Sequence, residues 1–290
     1  MAFALGTGLY ALADTRSGVH LVFSTFGIGE YTETRPHERA DAPLAATPRT
    51  VAATVLPLPS KVLQPSGISW DAASGRFALV TDQADLFILP SDLSGVQDAT
   101  VVQAGPLLLR QGHTETVTMA DGAIYIAGGH SHIKQWSYLD EAWQEGDVIP
   151  FADALSPDGD IMAMAVDPTG RTLFYADEGG NLNAVDLVAQ SQTQLVLEGA
   201  TKDGRTLSEY TITGLSYADG TLYALTSYHH NILAIDPASG VIEDAWALQG
   251  IKDPSGLAVR AGEAFVTVDH EYTEPAPGLQ VFALSRPDRS

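Results

Sequence analysis

Five stretches of the chain resemble one another, and that self-similarity restricts the fold more than any other feature of the sequence. They begin at Pro65 ("PSGISWDAASGRFALVTDQADLFIL"), Thr114 ("TETVTMADGAIYIAGGHSHIKQW"), Ile161 ("IMAMAVDPTGRTLFYADEGGNLNAVD"), Ile212 ("ITGLSYADGTLYALTSYHHNILAID") and Pro254 ("PSGLAVRAGEAFVTVDHEYTEPAPGLQVFAL"). Successive starts lie 49, 47, 51 and 42 residues apart. Each reads as an alternating apolar strand, a turn, a second apolar strand, a polar turn and a third strand. A less regular fourth follows, as in "VIEDAWALQG". Period-two alternation bounded by Gly, Asp and Pro is the signature of strands. Four antiparallel strands in a unit of about 40–50 residues make a propeller blade.

Upstream, "LYALADTRSGVHLVFSTF" and "TVAATVLPLP" supply most of a further unit. The sequence therefore predicts an all-β fold, a six-bladed β-propeller of four-stranded antiparallel blades, with residues 1–290 as one domain. The last unit stops after its third strand, "LQVFAL", so an outer strand from the N-terminal region is expected to close the ring. An open β-sandwich would not give four similar spacings in succession. Two loops exceed the pattern, 27–50 and 270–278.

Composition narrows the partners. Apolar residues at 45% against 18% charged are ample for a packed core. A net charge of −21 argues against nucleic acid, whose phosphates are bound by a Lys/Arg surplus, and suits a protein that handles cations. Without cysteine there is neither disulfide nor thiolate metal site. The N-terminus "MAFALGTGLYALADTR" lacks the basic-then-apolar pattern of a signal peptide, and no run approaches the roughly 18 apolar residues of a membrane span. The expectation is a soluble, cytoplasmic protein with no membrane partner.

In a propeller the innermost strands run side by side around a channel. The loops leading into them emerge on the same face as the second-to-third turns. Those turns carry Asp82, His130 with His132, Asp177 with Glu178, His229 with His230, and Asp269 with His270 and Glu271. The leads into the innermost strands carry Ser66, His113 with Glu115, Asp160, Thr213 and Ser255. Six of the eight histidines therefore fall on one face. An Asp in a tight turn ordinarily bonds its own backbone, which is the alternative reading of Asp82 and Asp177. Glu115 is the sharpest residue, because its repeat equivalents are Ser66, Met162, Thr213 and Ser255, and a carboxylate beside the channel needs a cation or a hydrogen-bonding partner.

Carboxylates (Glu115, Glu178, Asp269 and Glu271) suit a hard cation such as calcium, while added imidazoles suit a transition metal. Without metal, His113, His130, His132, His229, His230 and His270 are natural proton carriers. Tyr228, Tyr272, Asp82, Ser66 and Ser255 are placed to bind a substrate at the rim. There is no G-x-S-x-G, H-E-x-x-H or P-loop, and "GTGLYALA" lacks the context of a nucleotide site, so no nucleotide cofactor is expected.

The segments "LQPSGISWDAASGRFALVTDQADLFIL" and "HTETVTMADGAIYIAGGHSHIKQW" resemble the SdiA-regulated propellers and the wider gluconolactonase-like group over roughly residues 60–285. That resemblance implies a propeller with a bound divalent cation, and in the lactonases a Glu-held calcium that activates a lactone or ester carbonyl. Glu115 matches the glutamate of their T-E-G segment, although Thr116 stands where they have Gly and histidines where they have Asn and Asp. Three functions stay open: a metal-assisted lactone or ester hydrolase acting on a small molecule, a lyase or isomerase using His/Glu acid–base chemistry, and a binding propeller with a structural cation. The oligomeric state is not readable from the sequence.

Overall fold

The computed structural model describes residues 49–58, 62, 65–81, 85–93, 100–102, 114–120, 122–128, 132–139, 142–149, 160–197, 212–227, 229–268 and 278–284. All belong to one compact unit, Arg39–Ser290. Among the described residues there are twenty strands and no helix, so none is long and apolar enough to cross a membrane.

Strand β1 is Arg49–Leu56. The first blade is β2 (Pro65–Asp71), β3 (Arg76–Thr81), β4 (Leu86–Pro90) and β5 (Thr100–Val102), hydrogen-bonded in that order. The second is β6 (Thr114–Ala120), β7 (Ala123–Gly128), β8 (His132–Leu139) and β9 (Ala142–Val148). The third is β10 (Ile161–Val166), β11 (Thr172–Asp177), β12 (Leu182–Asp186) and β13 (Ser191–Gln194). The fourth is β14 (Ile212–Ala218), β15 (Thr221–Thr226), β16 (Asn231–Ile235) and β17 (Ile242–Gln249). The fifth has β18 (Pro254–Arg260), β19 (Glu263–Val268) and β20 (Leu279–Ala283), and β1 is its fourth strand.

The five repeats seen in the sequence begin at the first residues of β2, β6, β10, β14 and β18. These innermost strands pack β2 on β6, β6 on β10, β10 on β14, β14 on β18, and β18 back on β2. Five apolar clusters fill the five junctions. One joins Phe77 and Leu79 of the first blade to Ala258, Phe265 and Leu279 of the fifth, sealing the ring. The others lie between blades 1 and 2, 2 and 3, 3 and 4, and 4 and 5. Strands buried on both faces follow, as in β15, where all six residues are buried.

The count of six is corrected here: the described strands make a propeller-type ring of five blades, and the fifth packs directly on the first. "TVAATVLP" does form a strand, but it belongs to the fifth blade, with Ala53–Leu56 antiparallel to β20. Its other half, Arg49–Ala52, runs parallel to β17. Arg49 fixes that half by an ion pair to Asp244 and by lying 5.0 Å from the Trp246 ring centroid. Closure therefore uses strand pairing between distant parts of the chain, which costs loop entropy but removes two sheet edges. On the opposite side of the fifth blade, the Arg260 guanidinium lies about 5 Å from three rings, Trp70, Phe77 and Phe265, and donates to the Ser91 carbonyl.

Candidate functional site

Every innermost strand loses register near its first residue. Pro65 pairs with Thr81, but the next pair is Gly67 with Val80, and the same slip separates Thr114 from Thr116, Ile161 from Ala163, Ile212 from Gly214 and Pro254 from Leu257. The displaced residues are Ser66, Glu115, Met162 and Thr213, with Ser255 and Gly256 in the fifth blade. Such a bulge re-aims a side chain and bends the strand.

Where the displaced residue is a hydroxyl, it donates to the carbonyl of the first residue of the next innermost strand. Ser66 Oγ lies 2.7 Å from the Thr114 oxygen, Thr213 Oγ1 2.9 Å from that of Pro254, and Ser255 Oγ 3.0 Å from that of Pro65. Each bond is worth about 1 kcal/mol. The glycine that follows makes the approach possible. A Cβ on Gly67 would stand 2.8 Å from Thr116 Cα, one on Gly214 2.7 Å from the Leu257 nitrogen, and one on Gly256 2.8 Å from the Ser66 oxygen.

Blades 2 and 3 break this rule. Their displaced residues are Glu115 and Met162, followed by Thr116 and Ala163, which carry a Cβ. A carboxylate in place of a hydroxyl sets Glu115 apart from its three equivalents, since an ionised carboxylate only accepts hydrogen bonds. It is half-buried, and the buried Thr114 hydroxyl beside it has no hydrogen-bond partner among the described residues.

The second-to-third turns lie on the same edge of the ring, since the last residues of the second strands pair with the first residues of the innermost ones. Three of these turns share a device. A side-chain oxygen at the end of the second strand accepts the backbone N–H that opens the third. Thr81 accepts from Asp85 at 3.2 Å, Asp177 from Asn181 at 2.8 Å and Thr226 from Asn231 at 3.3 Å. Asp177 also takes the Asn181 side-chain amide, at 3.0 Å to each carboxylate oxygen, so it serves the turn. Burial pushes the Asp85 carboxyl above its ordinary value.

In the fourth blade His229 is buried, and His230 adopts a left-handed backbone with φ of 49°, its carbonyl accepting from the Leu248 N–H at 2.8 Å. Asn231 is fully buried with neither amide oxygen nor amide nitrogen hydrogen-bonded among the described residues. Each such group costs about 1–3 kcal/mol.

Of the residues singled out in the sequence, His113, His130, His270, Tyr228, Tyr272, Asp82, Asp269 and Glu271 lie outside the described residues. His132 opens β8. The Ser66 and Ser255 hydroxyls are engaged in ring closure, the latter also 3.0 Å from Thr267 Oγ1. Glu178 is exposed, its backbone N–H donating to the Asp160 carbonyl at 2.9 Å. Among the described residues no group of three His, Asp or Glu side chains could hold a metal ion. Asp85 and Asn231 were missed. Asn231 was legible by alignment, because "NILAID" and "NLNAVD" follow equivalent turns.

No family model matches the chain. No curated protein matches it either. Among solved structures it is similar to the Myxococcus xanthus glutaminyl cyclase, at 19% identity and a TM-score of 0.55 over 82% of this chain and 100% of that one. A protein of unknown function from Bacteroides thetaiotaomicron gives a TM-score of 0.46 at 12% identity, covering 80% and 75% of the two chains. The likeness to the cyclase agrees with what the strand order shows: this chain has a β-propeller-type fold.

Proposed function

We propose that the chain is an enzyme acting on a small molecule at the edge of the ring where the bulges lie, with Glu115 as its proton carrier. One observation supports this above the others. Of five equivalent displaced positions, three hold hydroxyls that tie the ring together, one holds a methionine, and Glu115 holds the single group able to move a proton near neutral pH. The cyclase of like fold shows by its name that such a ring can carry chemistry, although fold does not decide function.

The reaction we favour is hydrolysis of a lactone or ester, the class that the resemblance to gluconolactonase-like propellers suggests. Glu115 takes a proton from water as the water oxygen adds to the carbonyl carbon. A histidine of the same edge, His229 or His230, gives a proton to the leaving oxygen as the acyl carbon–oxygen bond breaks. The same base beside a carbonyl would serve a lyase or isomerase, so both classes belong in the assay.

The test is a panel of aliphatic lactones, p-nitrophenyl esters and hydroxy acids, with and without added calcium or manganese. Glu115→Gln is expected to lower kcat/KM by about 10²–10⁴-fold on the substrate turned over, the usual contribution of a general base. Turnover unchanged by Glu115→Gln removes Glu115 from the chemistry. No turnover on any substrate leaves a ligand-binding ring, and turnover only with added metal restores the cation.

A further inference from the structure

Asn231 stands at a place where the ring has solved the same problem once and left it unsolved once. Its equivalent in the third blade, Asn181, spends its amide nitrogen on Asp177 and its amide oxygen on Gln194, whose Nε2 donates at 3.1 Å. The cross-strand neighbours of Asn231 are Thr226 and Ala247. The Thr226 hydroxyl serves only the Asn231 backbone, accepting from its N–H at 3.3 Å and donating to its carbonyl at 3.4 Å, and the Ala247 side chain is apolar. Alternation along β16 turns Asn231 to the face of Leu233 and Ile235, which pack against the third blade. The third-blade residues of that apolar cluster are Ala163, Ala165, Phe174, Ala176 and Leu182, none with a hydrogen-bonding side chain. The neighbouring Ser227 hydroxyl is also shielded from solvent and without a partner among the described residues.

An adjacent donor and acceptor fixed on one planar group are complementary to an adjacent acceptor and donor on another. We infer that Asn231 is a subsite for the amide group of a ligand: a carboxamide, a lactam or a peptide bond held between blades 3 and 4. A carboxylate or phosphate would satisfy only the amide nitrogen and leave the oxygen unpaired. The assignment deepens the reading of this edge as the working face, and it does not depend on the role of Glu115.

The probe is 2-pyrrolidone, titrated into isotopically labelled protein while the side-chain amide resonances are followed by NMR. Asn231→Leu identifies the Asn231 pair by its loss. The Asn231 resonances are expected to shift saturably. Thr226→Asp, nearly equal in volume, rebuilds the Asp177–Asn181 clamp inside the fourth blade and is expected to weaken probe binding at least tenfold with the fold intact. It also supplies the test should Asn231→Leu fail to fold. Resonances that stay still while exchanging with solvent water mean an enclosed water only and overturn the subsite. So does probe binding unchanged in Thr226→Asp. Probe binding that survives Glu115→Gln, in a protein that turns over no carbonyl substrate, sinks the catalytic reading and keeps this one. Turnover with an unaltered KM in Thr226→Asp does the reverse.

Discussion

Three junctions of the ring differ from the other two. Between blades 5 and 1, 1 and 2, and 4 and 5, a Ser or Thr followed by Gly lets one innermost strand lie against the next, with the hydroxyl donating across the gap. A second hydroxyl repeats the link deeper in two of these junctions, where Met119 N donates to Ser69 Oγ at 3.3 Å and Val259 N to Ser216 Oγ at 2.8 Å. Between blades 2 and 3 the displaced residue is Glu115 and the next is Thr116; between 3 and 4 they are Met162 and Ala163. Asn231 faces this last junction from the fourth blade. A hydroxyl also crosses between blades 2 and 3, where Met164 N donates to Thr116 Oγ1 at 3.1 Å, so what sets these two junctions apart is the side chain at the bulge: Glu115 and Met162 in place of a hydroxyl.

The sharpest way to break the comparison is Gly256→Ala. The added methyl would stand 2.8 Å from the Ser66 oxygen and 2.9 Å from Gly67 Cα, both backbone atoms of the blade that closes the ring. Overpacking of this kind costs about 3 kcal/mol. The guanidinium unfolding midpoint should fall accordingly, whereas Ala163→Gly, at the equivalent place between blades 3 and 4, should cost about 1 kcal/mol, chiefly through backbone entropy. Equal losses at the two positions would show that the junctions do not differ.

The blades were legible because their information is local. Alternating apolar residues and the turns after Asp71, Asp167, Asp236 and their like mark strands wherever the chain goes next. Asp71 itself accepts from the Ala73 and Ser74 N–H groups at 3.1 and 3.0 Å. The number of blades was not local. "TVAATVLP" has a strand's pattern in either a sixth blade or the fifth, and only pairing with β20 and β17 decides between them. The site was half legible. Alignment of the repeats singled out Glu115 against three hydroxyls and a methionine, but it could not show that those hydroxyls hold the ring. Alignment of "NILAID" with "NLNAVD" marks the position of Asn231 but not its missing partner, which is a property of the packed structure.

A smaller effect sharpens the same contrast with exchanged residues. Ser255→Ala removes the donor to the Pro65 carbonyl and should cost about 1 kcal/mol. Glu115→Ser gives the second blade the hydroxyl its equivalents have, within the same bulge, facing the Ile161 carbonyl of the next strand. It should raise stability by about 0.5–1 kcal/mol while abolishing turnover. Loss of both stability and turnover would make Glu115 a structural carboxylate and end its assignment as proton carrier.

The smallest effect separates the two edges of the ring by the sign of their pH dependence. Asp85, on the edge that carries the bulges, has its carboxyl raised by burial, so the native state holds that proton more tightly than the unfolded chain. Its contribution to stability is present below the ordinary carboxyl value and is lost as pH rises through the raised one. Asp186 and Asp236 close turns on the other edge and are lowered, Asp186 chiefly by the Ala189 N–H and Asp236 chiefly by the Ser239 hydroxyl. Their contribution is present at neutral pH and is lost as pH falls through the lowered values. Asp85→Asn should therefore raise the thermal midpoint at pH 7 and leave it unchanged near pH 3, by less than the Ser255→Ala effect. Asp186→Asn should lower it at pH 7. Thermal unfolding of the two variants at both pH values checks the signs. A fall at pH 7 for both would mean that Asp85, too, is a carboxylate the fold prefers charged, and the two edges would not differ in sign.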